Sequence, residues 1–124
     1  MNTTLWIISG VLAPTFLAAG LMKVGGTREK LAASGMAWAG DFSPQSVKAI
    51  GAAEALGALG LVLPAALGIA PALTAWAALG LAATMLGATA VHLRRREAKA
   101  VPVSLLLLLL AAFVAWARFG PYAF

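Results

Sequence analysis

The chain carries four apolar stretches, each long enough to cross a bilayer, and its few charges fall in the gaps between them. Residues 5–22 and 101–117 hold no charged side chain, and the latter encloses the leucine run 105–110. At a rise of ~1.5 Å per helical residue each spans about 25–27 Å, close to the ~30 Å hydrocarbon core of a membrane. Residues 55–93 are also free of Asp, Glu, Lys and Arg, which leaves room for the rest of one helix, a tight turn and a complete further helix. Pro64, Gly68 and Pro71 mark that turn. The second stretch starts at Ser43 and Pro44, an N-cap followed by proline at the first helical position, and Glu54 alone interrupts its apolar part. The pattern predicts four transmembrane helices over about 4–22, 44–64, 71–93 and 101–119. They form an all-α, up-down four-helix bundle with short loops, in a single integral membrane domain covering 1–124.

Composition agrees with that reading. The 124 residues are 62% hydrophobic and 10% charged, against nearly one half and one quarter in soluble domains. Inside lipid every backbone polar group must be satisfied within its segment, so helices are required rather than isolated strands. With no cysteine the chain performs no thiol–disulfide chemistry of its own. One histidine and four carboxylates, scattered along the sequence, have no metal-ligand spacing, so neither a metal centre nor a bis-histidine haem is expected.

The charges set an orientation. Lys23, Arg28, Lys30 and Lys48 lie in or beside the first loop, and Arg94, Arg95, Arg96 and Lys99 in the last, on the same side of an even-numbered bundle. Both termini and the turn near 65–70 lie on the other side with Arg118 alone. By the positive-inside rule the basic loops face the cytoplasm and both termini face outward across the cytoplasmic membrane. Trp6, Trp76, Trp116, Phe119 and Tyr122 then fall at the outer interface, and Trp38 and Phe42 at the inner one. The first twenty residues lack a basic n-region, so the first helix is expected to be retained rather than cleaved. The net charge of +5 is juxtamembrane, which points Arg94, Arg95, Arg96 and Lys99 at anionic lipid headgroups, and nucleic acid is not an expected partner. Arg118 is expected to anchor the outer end of the fourth helix.

Glu54 is the residue that packing does not account for. It lies about 15 Å along the helix from Pro44, and a charge at mid-bilayer costs roughly 2.5–3.5 kcal/mol even on lenient insertion scales. It is therefore either protonated or received by a polar interior. Lys23, ending the first helix, and His92, ending the third, stand at the edge where the second helix begins. Thr84 and Ala88 share the face of His92, so a small, weakly polar seam runs from His92 toward the depth of Glu54. The expected candidate site is a Lys23, Glu54 and His92 cluster, with Thr84 beside it, lining a cavity open to the cytoplasmic side. The competing reading for each is plain: Glu54 fixing helix register, His92 at the interface, Lys23 setting topology.

Other features have structural readings. Ala53 and Gly57, Ala83 and Gly87, and Gly80 and Thr84 are spaced for close helix contact in lipid. Pro14 is expected to kink the first helix or to free the carbonyl of Gly10. Leu31, Gly35 and Trp38 fall at helical spacing after Thr27, a cap, which predicts a short interfacial helix in the first loop that could lid a cavity.

At several of these positions the chain resembles the DoxX-like family of small four-helix membrane proteins. The resemblance is carried by Gly51-Ala-Ala-Glu54-Ala-Leu-Gly57-Ala-Leu-Gly60-Leu-Val-Leu-Pro64 with Gly68-Ile-Ala-Pro71. It continues in Gly87-Ala-Thr-Ala-Val-His92-Leu-Arg-Arg-Arg-Glu97, in Ala19-Gly-Leu-Met-Lys23 and in the terminal Ala-Arg118. It implies an accessory membrane subunit of quinone-linked oxidation, a redox-enzyme partner or a membrane-protein assembly factor, with Lys23, Glu54, His92 and Arg118 as the polar positions to test. No residue is given a catalytic role. Two functions follow as expectations: a pocket around Glu54 that binds a lipophilic ligand such as a quinone, or a non-catalytic assembly or lipid-binding protein. Expected partners are the bilayer, a redox enzyme or other membrane protein, and a second copy of the chain. A transporter is less favoured, because no internal repeat is found.

Overall fold

A computed structural model of the chain describes residues 1–33 and 36–124, and for Arg28 the backbone alone. Every regular element among the described residues is helical: α1 (Asn2–Gly25), α2 (Arg28–Ala33), a 3-10 turn (Ala37–Asp41), α3 (Pro44–Ala66), α4 (Leu73–Arg94) and α5 (Ala100–Phe119). The helices α1, α3, α4 and α5 are each long and apolar enough to cross a membrane.

Local chemistry explains the boundaries. Ser43 Oγ accepts the Ser46 N–H at 3.1 Å, satisfying one of the orphan amides at the start of α3, and Pro44 follows where no N–H is needed. The helix runs two residues beyond Pro64, because one proline in the last turn removes a single bond. It stops where Ile69 N–H reaches back to Pro64 O at 3.0 Å and Gly68 N–H to Ala65 O at 3.2 Å, with Gly68 at φ +69°. That is a Schellman turn, and it favours glycine at the left-handed position. Pro71 and Ala72 belong to the connection, so α4 starts at Leu73. At the other end α1 continues to Gly25, with Pro14 inside it, and so carries Lys23 within the helix rather than in a loop. Thr27 Oγ1 accepts the Lys30 N–H at 3.2 Å, capping α2. Of the spacing that predicted this short helix, Gly35 lies outside the described residues. Leu31, Ala39 and Val47 bury themselves beneath the first loop, with Met36, Trp38 and Phe42 packed against them.

Around the bundle the order is α1, α3, α4, α5. The α1–α3 and α4–α5 pairs pack extensively, α3 packs on α4, and α1 and α5 touch only sparsely. The tightest crossing is between Gly20 of α1 and Gly51 of α3: a Cβ on Gly20 would lie 2.5 Å from Gly51 O, and one on Gly51 2.6 Å from Gly20 O. Gly57 takes Leu81 of α4 in a similar way, at 2.8 Å. Among the described residues, the close helix contacts expected at Gly80 and Gly87 are not made. A Cβ on Gly80 or Gly87 would meet nothing within 4 Å.

The two halves of the bundle are filled differently. Leu5, Leu12, Phe16, Ala58, Leu61, Ala78, Leu81, Ala111 and Val114 form a solid apolar core in the half nearest the termini. There Trp76 meets Phe119 edge-on at 5.0 Å and Trp6 meets Phe124 at 5.6 Å. The half nearest the basic loops is hollow. Leu56, Ile7, Leu86, Leu106 and Leu109 point outward and exposed, the inverse of a soluble surface and the surface a lipid solvent accepts.

Candidate functional site

Three residues beyond Gly20 on α1 stands Lys23, and three beyond Gly51 on α3 stands Glu54. The glycine contact removes the side chains that would hold the antiparallel helices apart; Lys23 and Glu54 lie one turn to either side of it, and the long lysine side chain runs back along the crossing to reach the carboxylate. Lys23 Nζ donates to Glu54 Oε1 at 2.6 Å, with the two side chains 8% and 1% exposed. The pairing gives the mid-helix carboxylate a cationic partner, as a charge at this depth requires.

The pair stands at the junction of two hollow lobes. One, of about 290 Å³, lies between α3 and α4 and is walled by Ile50, Ala83, Thr84, Gly87 and Val91. The other, of about 470 Å³, lies where α1 and α5 diverge and is walled by Thr15, Phe16, Ala19, Val103, Ser104 and Leu107. Lys23, Trp38, Glu54, Met85, Ala88 and His92 border both. The larger lobe lies within the ~300–1,000 Å³ of ordinary ligand pockets and the smaller at its lower edge. Both reach exposed positions, Ala83 and Gly87 on one side and Thr15 and Val103 on the other. The lobes therefore open sideways, toward the surface the bilayer occupies.

Trp38, delivered by the 3-10 turn, sits over the ammonium of Lys23 with 5.6 Å from Nζ to the ring centroid, a cation–π contact. A tie to the α4–α5 connection holds this turn in place. Arg95 Nη1 donates to Asp41 Oδ2, and Arg95 Nε stands 3.3 Å from Glu97 Oε1. The hydrogen bond that Arg95 donates to Asp41 raises the guanidinium pKa above its ordinary range, joined by the attraction of Asp41 and Glu97 and opposed by partial desolvation.

The four polar candidates do not all meet. His92 borders the cavity, but its ring bonds Glu97, with Nδ1 3.0 Å from Oε1, rather than Glu54. Thr84 also lines the cavity, and its hydroxyl donates to Gly80 O on its own helix at 2.9 Å. Of the residues expected at lipid headgroups, Arg94, Arg96 and Lys99 are exposed, whereas Arg95 is turned in to Asp41 and Glu97. Arg118 is buried at 6% exposure. It donates to Asn2 Oδ1 at 2.7 Å and Tyr122 O at 2.9 Å and lies over the Phe124 ring at 3.8 Å, tying the two chain ends together instead of reaching outward. Residue-by-residue reading of the sequence missed Gly20, Gly51, Asp41 and Glu97. The signal for the first two was there, since each glycine precedes its charge by three positions. Among the described residues no three of His, Asp and Glu gather as a metal would require.

Four bilayer-length helices, lipid-type surfaces and a laterally open, mostly apolar cavity around a buried ion pair define a small helical membrane protein. A model of the DoxX-like family matches residues 7–114, and the chain belongs to that family. Comparison with curated proteins and with solved structures gives no match.

Proposed function

We propose that the protein binds a lipophilic ligand of quinone type in the cavity around Lys23 and Glu54, as an accessory subunit of a redox-linked membrane complex. The observation that carries this reading is a buried ion pair at the meeting point of two apolar lobes that open onto the bilayer-facing surface. A cavity reached from the side takes ligands already dissolved in lipid. Its apolar walls suit a ring and alkyl chain, and its few polar groups fix an orientation. The basic loops would face the cytoplasm and the termini the outside of the cytoplasmic membrane, by the distribution of Lys and Arg.

Purification from native membranes, with mass spectrometry of the extracted lipids, tests the proposal. Quinone should accompany the wild-type protein above the level of bulk lipid carry-over and be lost from Glu54→Gln. Equal, background quinone in both overturns it. The reading as an assembly protein draws on the open small-residue face of α4, where a Cβ on Gly80 or Gly87 would meet nothing within 4 Å among the described residues. It is favoured if a membrane partner copurifies with Glu54→Gln but not with Gly80→Leu.

A further inference from the structure

Arg96, the residue after the α4 cap, holds φ +58°. This left-handed turn lets Glu97 N–H bond His92 O at 2.9 Å and brings the Glu97 carboxylate back to His92 Nδ1 at 3.0 Å. Arg95 beside the same oxygen, at 3.3 Å, makes Glu97 the anionic member of an ion pair. An ionised carboxylate can only accept, so Nδ1 carries the proton, and in the uncharged form of an imidazole so held Nε2 keeps its lone pair. Nε2 has no partner among the described residues, and His92 borders both lobes. Across the cavity Lys23 bonds Glu54 Oε1, and Glu54 Oε2 receives no hydrogen bond among the described residues. The unused capacity of the site is thus an acceptor at His92, an acceptor at Glu54 and the remaining N–H groups of Lys23.

We propose that the site selects a ring bearing hydroxyl groups, a phenol or hydroquinone in preference to the matching quinone, and that Glu97 is the positioning residue that makes His92 the acceptor. The inference rests on the ligand-binding reading above and names the form of ligand held. A quinone offers only acceptors: one carbonyl is served by Lys23, but a carbonyl turned to His92 meets a lone pair. A hydroquinone donates to Nε2 at one end and, at the other, donates to Glu54 or accepts from Lys23. This is a preference in binding, with no transfer step assigned.

The test uses the full chain in lipid nanodiscs at about pH 8, where ordinary imidazole is neutral. A short-alkyl benzoquinone, its hydroquinone kept anaerobic and the bis-O-methyl ether are each titrated by calorimetry. The hydroquinone should bind about three- to tenfold more tightly than the quinone or the ether, the value of one added hydrogen bond. Glu97→Gln, whose amide can donate or accept and so releases the tautomer, should bring the three within about twofold. His92→Phe, which keeps a ring but no acceptor, should do the same. Equal affinities in the wild type, or a preference that survives both substitutions, overturns the selectivity and leaves ligand binding standing. Binding of none of the three overturns the ligand-binding reading and the selectivity with it.

Discussion

Gly20 and Gly51 cross with their backbones in contact, each placed so that a Cβ would meet the other's carbonyl oxygen at 2.5–2.6 Å. In lipid, helices gain little from burying apolar surface and associate through close packing, so this contact sets the separation of α1 and α3. Alanine at either position must push the helices apart, because what it meets is backbone. Gly20→Ala or Gly51→Ala is expected to cost about 1–3 kcal/mol, read as a lower unfolding midpoint in detergent or nanodiscs. Gly80→Ala, facing open space, is expected to hold or slightly raise the midpoint. Equal behaviour at all three positions would falsify the role given to the crossing.

Separation of the helices matters because Lys23 and Glu54 flank the crossing, one turn to either side, and the lysine side chain must span it to reach the carboxylate. Removing one member of a buried pair leaves the other charge without a partner, at about 3–5 kcal/mol. Lys23→Met and Glu54→Gln should each destabilise by that order, while the double variant recovers much of the loss. A double-mutant cycle on unfolding midpoints measures the coupling, and strictly additive losses would mean that the pair does not form.

At the end of α4, Arg96 adopts a left-handed conformation that costs an ordinary L-residue about 1–2 kcal/mol. Arg96→Gly should therefore stabilise the protein by about 0.5–1 kcal/mol once the entropy of glycine is set against the relief. Arg96→Val should destabilise it. Thermal unfolding distinguishes the two, and a loss on substitution by glycine would contradict the turn geometry.

The Asp41–Arg95 contact ties the turn that carries Trp38 to the far loop. Because the contact raises the Arg95 pKa, its contribution is present below the ordinary guanidinium range and is lost only as pH climbs through the raised value. Arg95 itself should therefore give no pH dependence between about pH 5 and 9. Salt should weaken this partly exposed pair. Asp41→Asn should speed proteolytic cleavage between residues 26 and 43 without moving the global unfolding midpoint appreciably, and unchanged cleavage would count against the tie.

At the opposite end, Arg118 holds Asn2 and the backbone of Tyr122 from a buried position. Hydrogen bonds to a charged group are worth about 1.5–3 kcal/mol, so Asn2→Ala should lower stability within that range. A substitution without effect would show that Arg118 is satisfied from elsewhere.

The four long helices, the Ser43–Pro44 start, the Thr27 cap and the turn at Gly68 were legible in the sequence, because hydropathy and capping are local properties that the chain carries wherever it folds. So was the depth of Glu54, since depth is only a count of residues along a helix axis. Direction around the axis was not. In a soluble helix the apolar stripe tells which face turns inward, but here lipid accepts every apolar face, and the pattern that would have aimed a side chain is missing. Only the packed bundle decided that Lys23 reaches Glu54, that His92 bonds Glu97 across a strained turn, and that Arg95 and Arg118 turn inward.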